Sequence, residues 1–262
     1  MTWQVAQTEL NSRFLLGTAS YPSPQIMMDA VRASGTEVVT VSLKRQAAAR
    51  PQEGGGKPYF SILKELNCHL LPNTAGCHTA AEAITLAHMA REVFDTPWVK
   101  LEVIGDPHTL QPDVFELVSA AQTLVRDGFQ VFPYCTDDLI ACQRLLDAGC
   151  TLLMPWAAPI GSGQGLIHLS ALRTLRERLP DVPLIVDAGI GSPMDATQAM
   201  ELGFDGVLLN SAVSRALDPV RMAEAFKWAI HAGRLAWEAG IMAEQEMAVA
   251  TTPVTGRPFV LG

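Results

Sequence analysis

Trp98-Val99-Lys100-Leu101-Glu102-Val103-Ile104 is the stretch on which the reading of this chain turns. Side chains alternate faces along a strand, so Val99, Leu101 and Val103 share one face while Lys100 and Glu102 share the other. The apolar face is suited to covering helices. Lys100 and Glu102 then point into the interior of a closed sheet. An ammonium and a carboxylate in that position are costly unless they are paired or used.

Outward from this strand the same unit recurs. Short apolar, β-branched runs are expected as strands at Phe14–Gly17, Glu37–Leu43, His69–Leu71, Val99–Ile104, Gln130–Tyr134, Thr151–Pro155, Leu184–Asp187 and Gly206–Leu209. Helix-period segments lie between them at Gln25–Ser34, Thr79–Phe94, Pro112–Asp127, Asp137–Ala148, Leu169–Leu179 and Ser192–Leu202, with a long last helix over Asp218–Ala239. Pro112 and Pro193 are placed to occupy first turns, and Gly35, Gly128, Gly149 and Gly203 to end helices. Roughly eight βα units predict an α/β fold of the (β/α)8 TIM-barrel class. One domain over residues 1–262 is expected, with an irregular tail at 248–262. The alternative, an open doubly wound sheet, calls for GxGxxG after the first strand, and Gly17-Thr-Ala-Ser-Tyr-Pro22 stands there instead.

Composition narrows the function classes. The 262 residues carry 19 basic and 27 acidic side chains, a formal charge of −8, which argues against a nucleic-acid or anionic-membrane surface. A hydrophobic content of 48% supplies a core and excludes a disordered chain. No apolar run is long enough to span a bilayer, and residues 1–10 do not read as a secretory signal, so a soluble, cytoplasmic protein is expected. Cys68, Cys77, Cys135, Cys142 and Cys150 are scattered and read as small buried apolar residues. With no HExxH and no His–carboxylate cluster, neither a metal site nor a cofactor is expected.

In a barrel, chemistry belongs at the C-terminal ends of the strands. Lys100 with Glu102 reads either as a structural ion pair or as a Schiff-base lysine with a carboxylate at hand. Burial lowers the pKa of an ammonium and frees the neutral amine that attacks a carbonyl, whereas the nearby anion opposes that shift. Three glycine-rich turns follow the sixth, seventh and eighth strands: Ile160-Gly-Ser-Gly-Gln-Gly165, Asp187-Ala-Gly-Ile-Gly-Ser192 and Asn210-Ser-Ala212. Their position predicts a phosphate site and hence a small phosphorylated substrate. Asp187, closing the seventh strand, reads as a turn residue or as an acid/base partner of Glu102. Asn73-Thr-Ala-Gly-Cys77 reads as a turn shaping the mouth, and Arg50–Pro58 as a flexible loop or a lid.

Taken in order, Leu71-Pro-Asn-Thr-Ala-Gly-Cys77, Val99-Lys-Leu-Glu-Val-Ile104, Gly161-Ser-Gly-Gln-Gly165, Val186-Asp-Ala-Gly-Ile-Gly191 and Leu209-Asn-Ser-Ala212 resemble the thiazole synthases of bacterial thiamine biosynthesis. The resemblance implies a (β/α)8 barrel that joins 1-deoxy-D-xylulose 5-phosphate, dehydroglycine and sulfur into thiazole phosphate carboxylate. The sulfur donor it implies is the C-terminal thiocarboxylate of a ubiquitin-like carrier protein. Carried over, Lys100 is the imine-forming lysine, and Glu102 and Asp187 are the acid/base carboxylates. Gly161, Ala188, Gly189, Asn210 and Ser211 contact the sugar phosphate, with Gly163 and Gly191 in the same turns. Further expectations are a homo-oligomer and contact with the enzyme that forms dehydroglycine. Lys44-Arg45-Gln46 departs from the paired arginines of many members, and Ser211 from a common Thr. Rival readings are another lysine-dependent, aldolase-like barrel and a non-catalytic phosphosugar scaffold.

Overall fold

A computed structural model describes residues 2–43 and 59–249. Eight parallel strands run in the order β8-β7-β6-β5-β4-β3-β10-β9. They are β3 (Phe14–Gly17), β4 (Val38–Ser42), β5 (His69–Asn73), β6 (Trp98–Leu101), β7 (Gln130–Cys135), β8 (Met154–Pro155), β9 (Ile185–Asp187) and β10 (Gly206–Leu209). Parallel bridges Leu153–Leu184 and Trp156–Asp187 join β8 to β9 and close the ring. Outside it lie α1 (Pro24–Ser34), α2 (Tyr59–Glu65), α3 (Ala80–Phe94), α4 (Val114–Arg126), α5 (Leu139–Asp147), α6 (Leu169–Arg178) and α7 (Pro193–Glu201). The short α8 (Ser211–Ser214) and the long α9 (Pro219–Ala239) complete the circuit.

The alternation expected of the central strand holds. Val99, Leu101 and Val103 are buried with Ala83, Ala87, Leu117 and Ala121 from the flanking helices α3 and α4. The opposite face builds the lumen, where Leu15, Val38, Leu71, Trp98, Phe132 and Met154 pack together. The floor of this lumen was not foreseen from sequence. A hairpin of β1 (Trp3–Val5) and β2 (Thr8–Leu10) turns through Ala6 and Gln7 at φ 46 and 64, and inserts Trp3, Val5 and Leu10 into the lower cluster. With the N-terminal end plugged, access to the lumen is from the C-terminal ends of the strands.

Expected boundaries move by up to three residues, and the third barrel strand runs on to Asn73, expected in a turn, rather than stopping at Leu71. The fourth barrel strand stops at Leu101 rather than Ile104 because the next backbone groups are taken elsewhere. The Thr74 hydroxyl bonds both the N–H and the C=O of Glu102, and Ile104 donates to the Cys77 carbonyl. Pro112 stands outside its helix: Asp113 is the N-cap, accepting from the N–H groups of Phe115 and Glu116, and Pro112 bridges back to Ile104. The sixth strand shrinks to Met154–Pro155 at the barrel seam. Pro193 opens α7 as expected, and Gly35, Gly128, Gly149 and Gly203 follow helices with φ between 63 and 98. The Arg50–Pro58 loop, Lys44-Arg45-Gln46 and the tail from 250 onward lie outside the described residues; Ala248 and Val249 carry no regular element. Among the described residues, no helix is long and apolar enough to cross a membrane.

Candidate active site at the barrel mouth

Strand alternation sends Lys100 inward from β6, level with Asn73 on β5 and Phe132 on β7. Glu102 follows on the same face, and Asp187 closes β9 across the seam. Lys100 Nζ lies 2.5 Å from Asp187 Oδ2 and 3.5 Å from Glu102 Oε1. These groups are 6%, 2% and 5% exposed respectively, so one ammonium faces two carboxylates almost without solvent. The Lys100–Asp187 contact is thus the closer of the two ion pairs, at the separation of a charge-assisted hydrogen bond.

Burial works against the Lys100 charge, but the fields of Asp187 and then Glu102 more than offset it, and its pKa stands above the ordinary lysine value. Burial pushes Asp187 up as well, and Lys100 pulls it back only in part. The resting lysine therefore holds its proton beside a carboxylate that accepts protons more readily than usual. Tyr134, fully buried, covers the ammonium with its ring centroid 5.8 Å from Nζ and donates its hydroxyl to the Leu110 carbonyl at 3.4 Å. Burial, reinforced by the anions at 187 and 102, raises the phenol and keeps it protonated.

The three glycine-rich turns converge. A Cβ at Gly161 would meet the Ser211 hydroxyl at 3.9 Å, which brings the turn after β8 beside the start of α8. A Cβ at Gly191 would fall on the carbonyl oxygen of Gly163, and one at Gly189 on the backbone of Ala158. The close approach of these loops thus depends on bare backbone. Ala188, at φ 64, holds a left-handed conformation immediately after Asp187. Not every amide here is open to a ligand: the N–H groups of Gly191 and Ser192 both donate to Asp195 Oδ2, at 2.9 and 2.8 Å. The Gly191 N–H is therefore occupied. The turns meet through the pairs Gly161–Ser211 and Gly163–Gly191, while Gly189 backs onto Ala158, Asn210 lies against Gly17, and Ala188 packs on the Ile104, Tyr134 and Trp156 cluster.

Three side chains with a bearing on the site were not singled out from sequence. Thr74 fixes Glu102 by the two 2.8 Å bonds described above. Tyr134 was legible as the second inward position after Phe132, but its relation to Lys100 spans two strands. Asp137 accepts from Trp156 Nε1 at 3.0 Å and pairs with His168 at 2.8 Å, holding Trp156 against the mouth beside Tyr134. The cysteines form no disulfide: Cys77, Cys135, Cys142 and Cys150 are buried thiols and Cys68 is half-buried, and burial pushes the Cys150 thiol up to about 12. Among the described residues, no group of three His, Cys, Asp or Glu is placed to hold a metal ion.

The family model described as "Thiazole biosynthesis protein ThiG" matches residues 4–253. The thiazole synthase of Coxiella burnetii (strain RSA 331) is 57% identical over 99% of this chain and 98% of its own length. That of Gluconacetobacter diazotrophicus is 60% identical over 97% and 98%. Among solved structures, the Amycolatopsis orientalis BexX/CysO complex contains a chain that superposes with a TM-score of 0.81 at 31% identity, covering 93% of this chain and 98% of that one. With a barrel whose mouth holds a buried lysine between two carboxylates, the chain belongs to the ThiG family of thiazole biosynthesis proteins, and its activity is that of a thiazole synthase.

Proposed function

We propose that the enzyme builds the thiazole precursor of thiamine by holding 1-deoxy-D-xylulose 5-phosphate as an imine on Lys100. The observation that carries this reading is the buried Lys100–Asp187 pair lying in the mouth into which the three glycine turns converge. A phosphate held by backbone N–H groups near Gly161, Gly163, Ala188, Gly189 and Ser211, with Asn210 alongside, leaves the ketone end of the sugar directed at Lys100.

The resting ammonium is not nucleophilic. Asp187, at 2.5 Å and with its own pKa raised, takes the proton and releases the amine. The Lys100 nitrogen adds to the C2 carbonyl, and the carbinolamine loses water to form the imine. Loss of the C3 proton gives an enaminol, and return of a proton to C2 with loss of the hydroxyl proton moves the carbonyl to C3. Asp187 and Glu102, 2.5 and 3.5 Å from Nζ, exchange these protons. The thiocarboxylate sulfur then replaces the C3 oxygen, which leaves on the carrier as its ordinary carboxylate. Loss of the C4 hydroxyl as water restores an imine at C2, and the dehydroglycine nitrogen adds there while the sulfur closes on the dehydroglycine carbon, expelling Lys100 as the free amine. The imine is the electron sink, so the chain's own side chains carry the proton chemistry.

The sulfur is assigned to the thiocarboxylate of a small ubiquitin-like carrier, whose extended glycine-rich tail fits an open mouth lined by backbone. A relative of similar fold, BexX, forms a complex with a second protein, CysO, which supports a protein donor here. The reaction is assigned to the cytoplasm. Borohydride reduction in the presence of 1-deoxy-D-xylulose 5-phosphate, followed by peptide mass mapping, tests the core of the proposal. A reduced adduct on Lys100 is expected, and a reconstituted mixture should form thiazole only with the carrier present. Absence of the adduct overturns the imine; thiazole formed without the carrier overturns the donor.

A further inference from the structure

Asn73 is the last residue of β5 and, by register, stands directly beside Lys100 on β6 and Ser42 on β4. Parallel neighbours in register project to the same side of a sheet, about 4.8 Å apart. Leu71, two residues earlier, lies in the lumen cluster, so the Asn73 amide also faces inward, one layer higher and at the level of the reactive nitrogen. Its Oδ1 is buried and has no hydrogen-bond partner. A buried carbonyl left without a donor is destabilising, and an apolar residue of similar size would fill this position without that cost. The next residue shows the contrast: the Thr74 hydroxyl both donates and accepts. An unpartnered acceptor beside the nucleophile has the character of a group awaiting a donor from the substrate.

We propose that Asn73 is a substrate-binding residue whose Oδ1 accepts a hydrogen bond from the hydroxyl on the carbon next to the one joined to Lys100 Nζ. The inference rests on the imine reading of Lys100 and deepens it. In a 2-ketose that hydroxyl is one bond beyond the imine carbon, on the side of the phosphate-bearing chain. A neutral amide does not take up the hydroxyl proton; it orients the O–H and leaves proton transfer to the carboxylates. Asn73 thereby selects α-hydroxy ketones over simple ketones, because a substrate without the hydroxyl leaves Oδ1 buried and unpaired.

The test compares two ligands by borohydride trapping on the full-length enzyme. One is 1-deoxy-D-xylulose 5-phosphate and the other its analogue lacking the 3-hydroxyl. Wild type should reach half-maximal Lys100 adduct with the natural ketose at a concentration about 10- to 100-fold below that needed for the analogue. Asn73→Ala should abolish this gap by weakening the hydroxylated ligand alone, with Asn73→Ser as the alternative variant if the first does not fold. Equal trapping of both ligands by wild type overturns the proposal without any variant. So does equal weakening of both by the substitution. Failure of wild type to form any Lys100 adduct has a different meaning: it removes the imine reading itself, and this inference with it.

Discussion

Lys100 Nζ is closer to Asp187, 87 residues away in sequence, than to Glu102 on its own strand: 2.5 against 3.5 Å. The nearer partner closes β9 and reaches the lysine from the far side of the barrel seam. Between them the two carboxylates hold the lysine protonated at rest, despite burial that would otherwise release its proton. For such a lysine to act as a nucleophile an adjacent base would have to take its proton, and Asp187 is the nearer of the two carboxylates.

Asp187→Asn removes the nearest anion while keeping the shape of the side chain. The Lys100 pKa is raised by Asp187 first and Glu102 second, so losing the first lets burial prevail and the pKa falls. The equilibrium yield of trapped adduct should therefore reach its half-maximum at lower pH than in wild type, even as turnover drops. A pH series of trapping after long incubation measures this. A shift to higher pH, or none, contradicts the electrostatic account.

Lys100 also couples the site to stability. Its folded pKa lies above that of an unfolded lysine, so its stabilising contribution is complete below the unfolded value and declines as pH rises through the folded one. Lys100→Met should thus be more destabilised relative to wild type at neutral pH than in strong alkali, as urea titrations at both pH values would show. Lys100→Arg, by contrast, should abolish the adduct while phosphate still binds, because guanidinium keeps the charge but forms no imine.

Thr74→Val tests the clamp on Glu102. The substitution is close to isosteric but strands the backbone N–H and C=O of Glu102, both bonded at 2.8 Å by the native hydroxyl. A loss of about 1–3 kcal/mol in unfolding free energy is expected. If Thr74 also aims the carboxylate, kcat should fall with little change in KM. Thr74→Ser should restore both. A Ser variant as impaired as Val would show that the methyl group, not the hydroxyl, matters.

Gly191→Ala probes the approach of the two late turns. The added methyl group falls on the Gly163 carbonyl oxygen, so the loops must separate. We expect destabilisation of about 1–3 kcal/mol and weaker binding of inorganic phosphate. Calorimetry of both properties decides it; intact phosphate affinity would place the anion away from this contact.

The inward placement of Lys100 and Glu102 was legible because strand alternation is local. Period two put Lys100 and Glu102 on the inward face, and the order of βα units put the glycine turns at neighbouring strand ends. The N-terminal hairpin was not legible: three-residue strands carry too little periodicity, and their apolar residues make sense only against the barrel floor they plug. Pro112 misled for a similar reason, since a proline suited to a first turn was displaced by Asp113, which supplies a cap carboxylate one residue later.

By itself, the sequence determined the repeat, the handover from strand to helix, and the identity of the buried amine, all consequences of backbone geometry within a few residues. It did not determine which carboxylate holds that amine, that Thr74 clamps Glu102, or that the Asn73 carbonyl is left without a donor. Those relations arise between strands. Register and ring closure set them, and both depend on packing across the whole barrel rather than on any local preference of the chain.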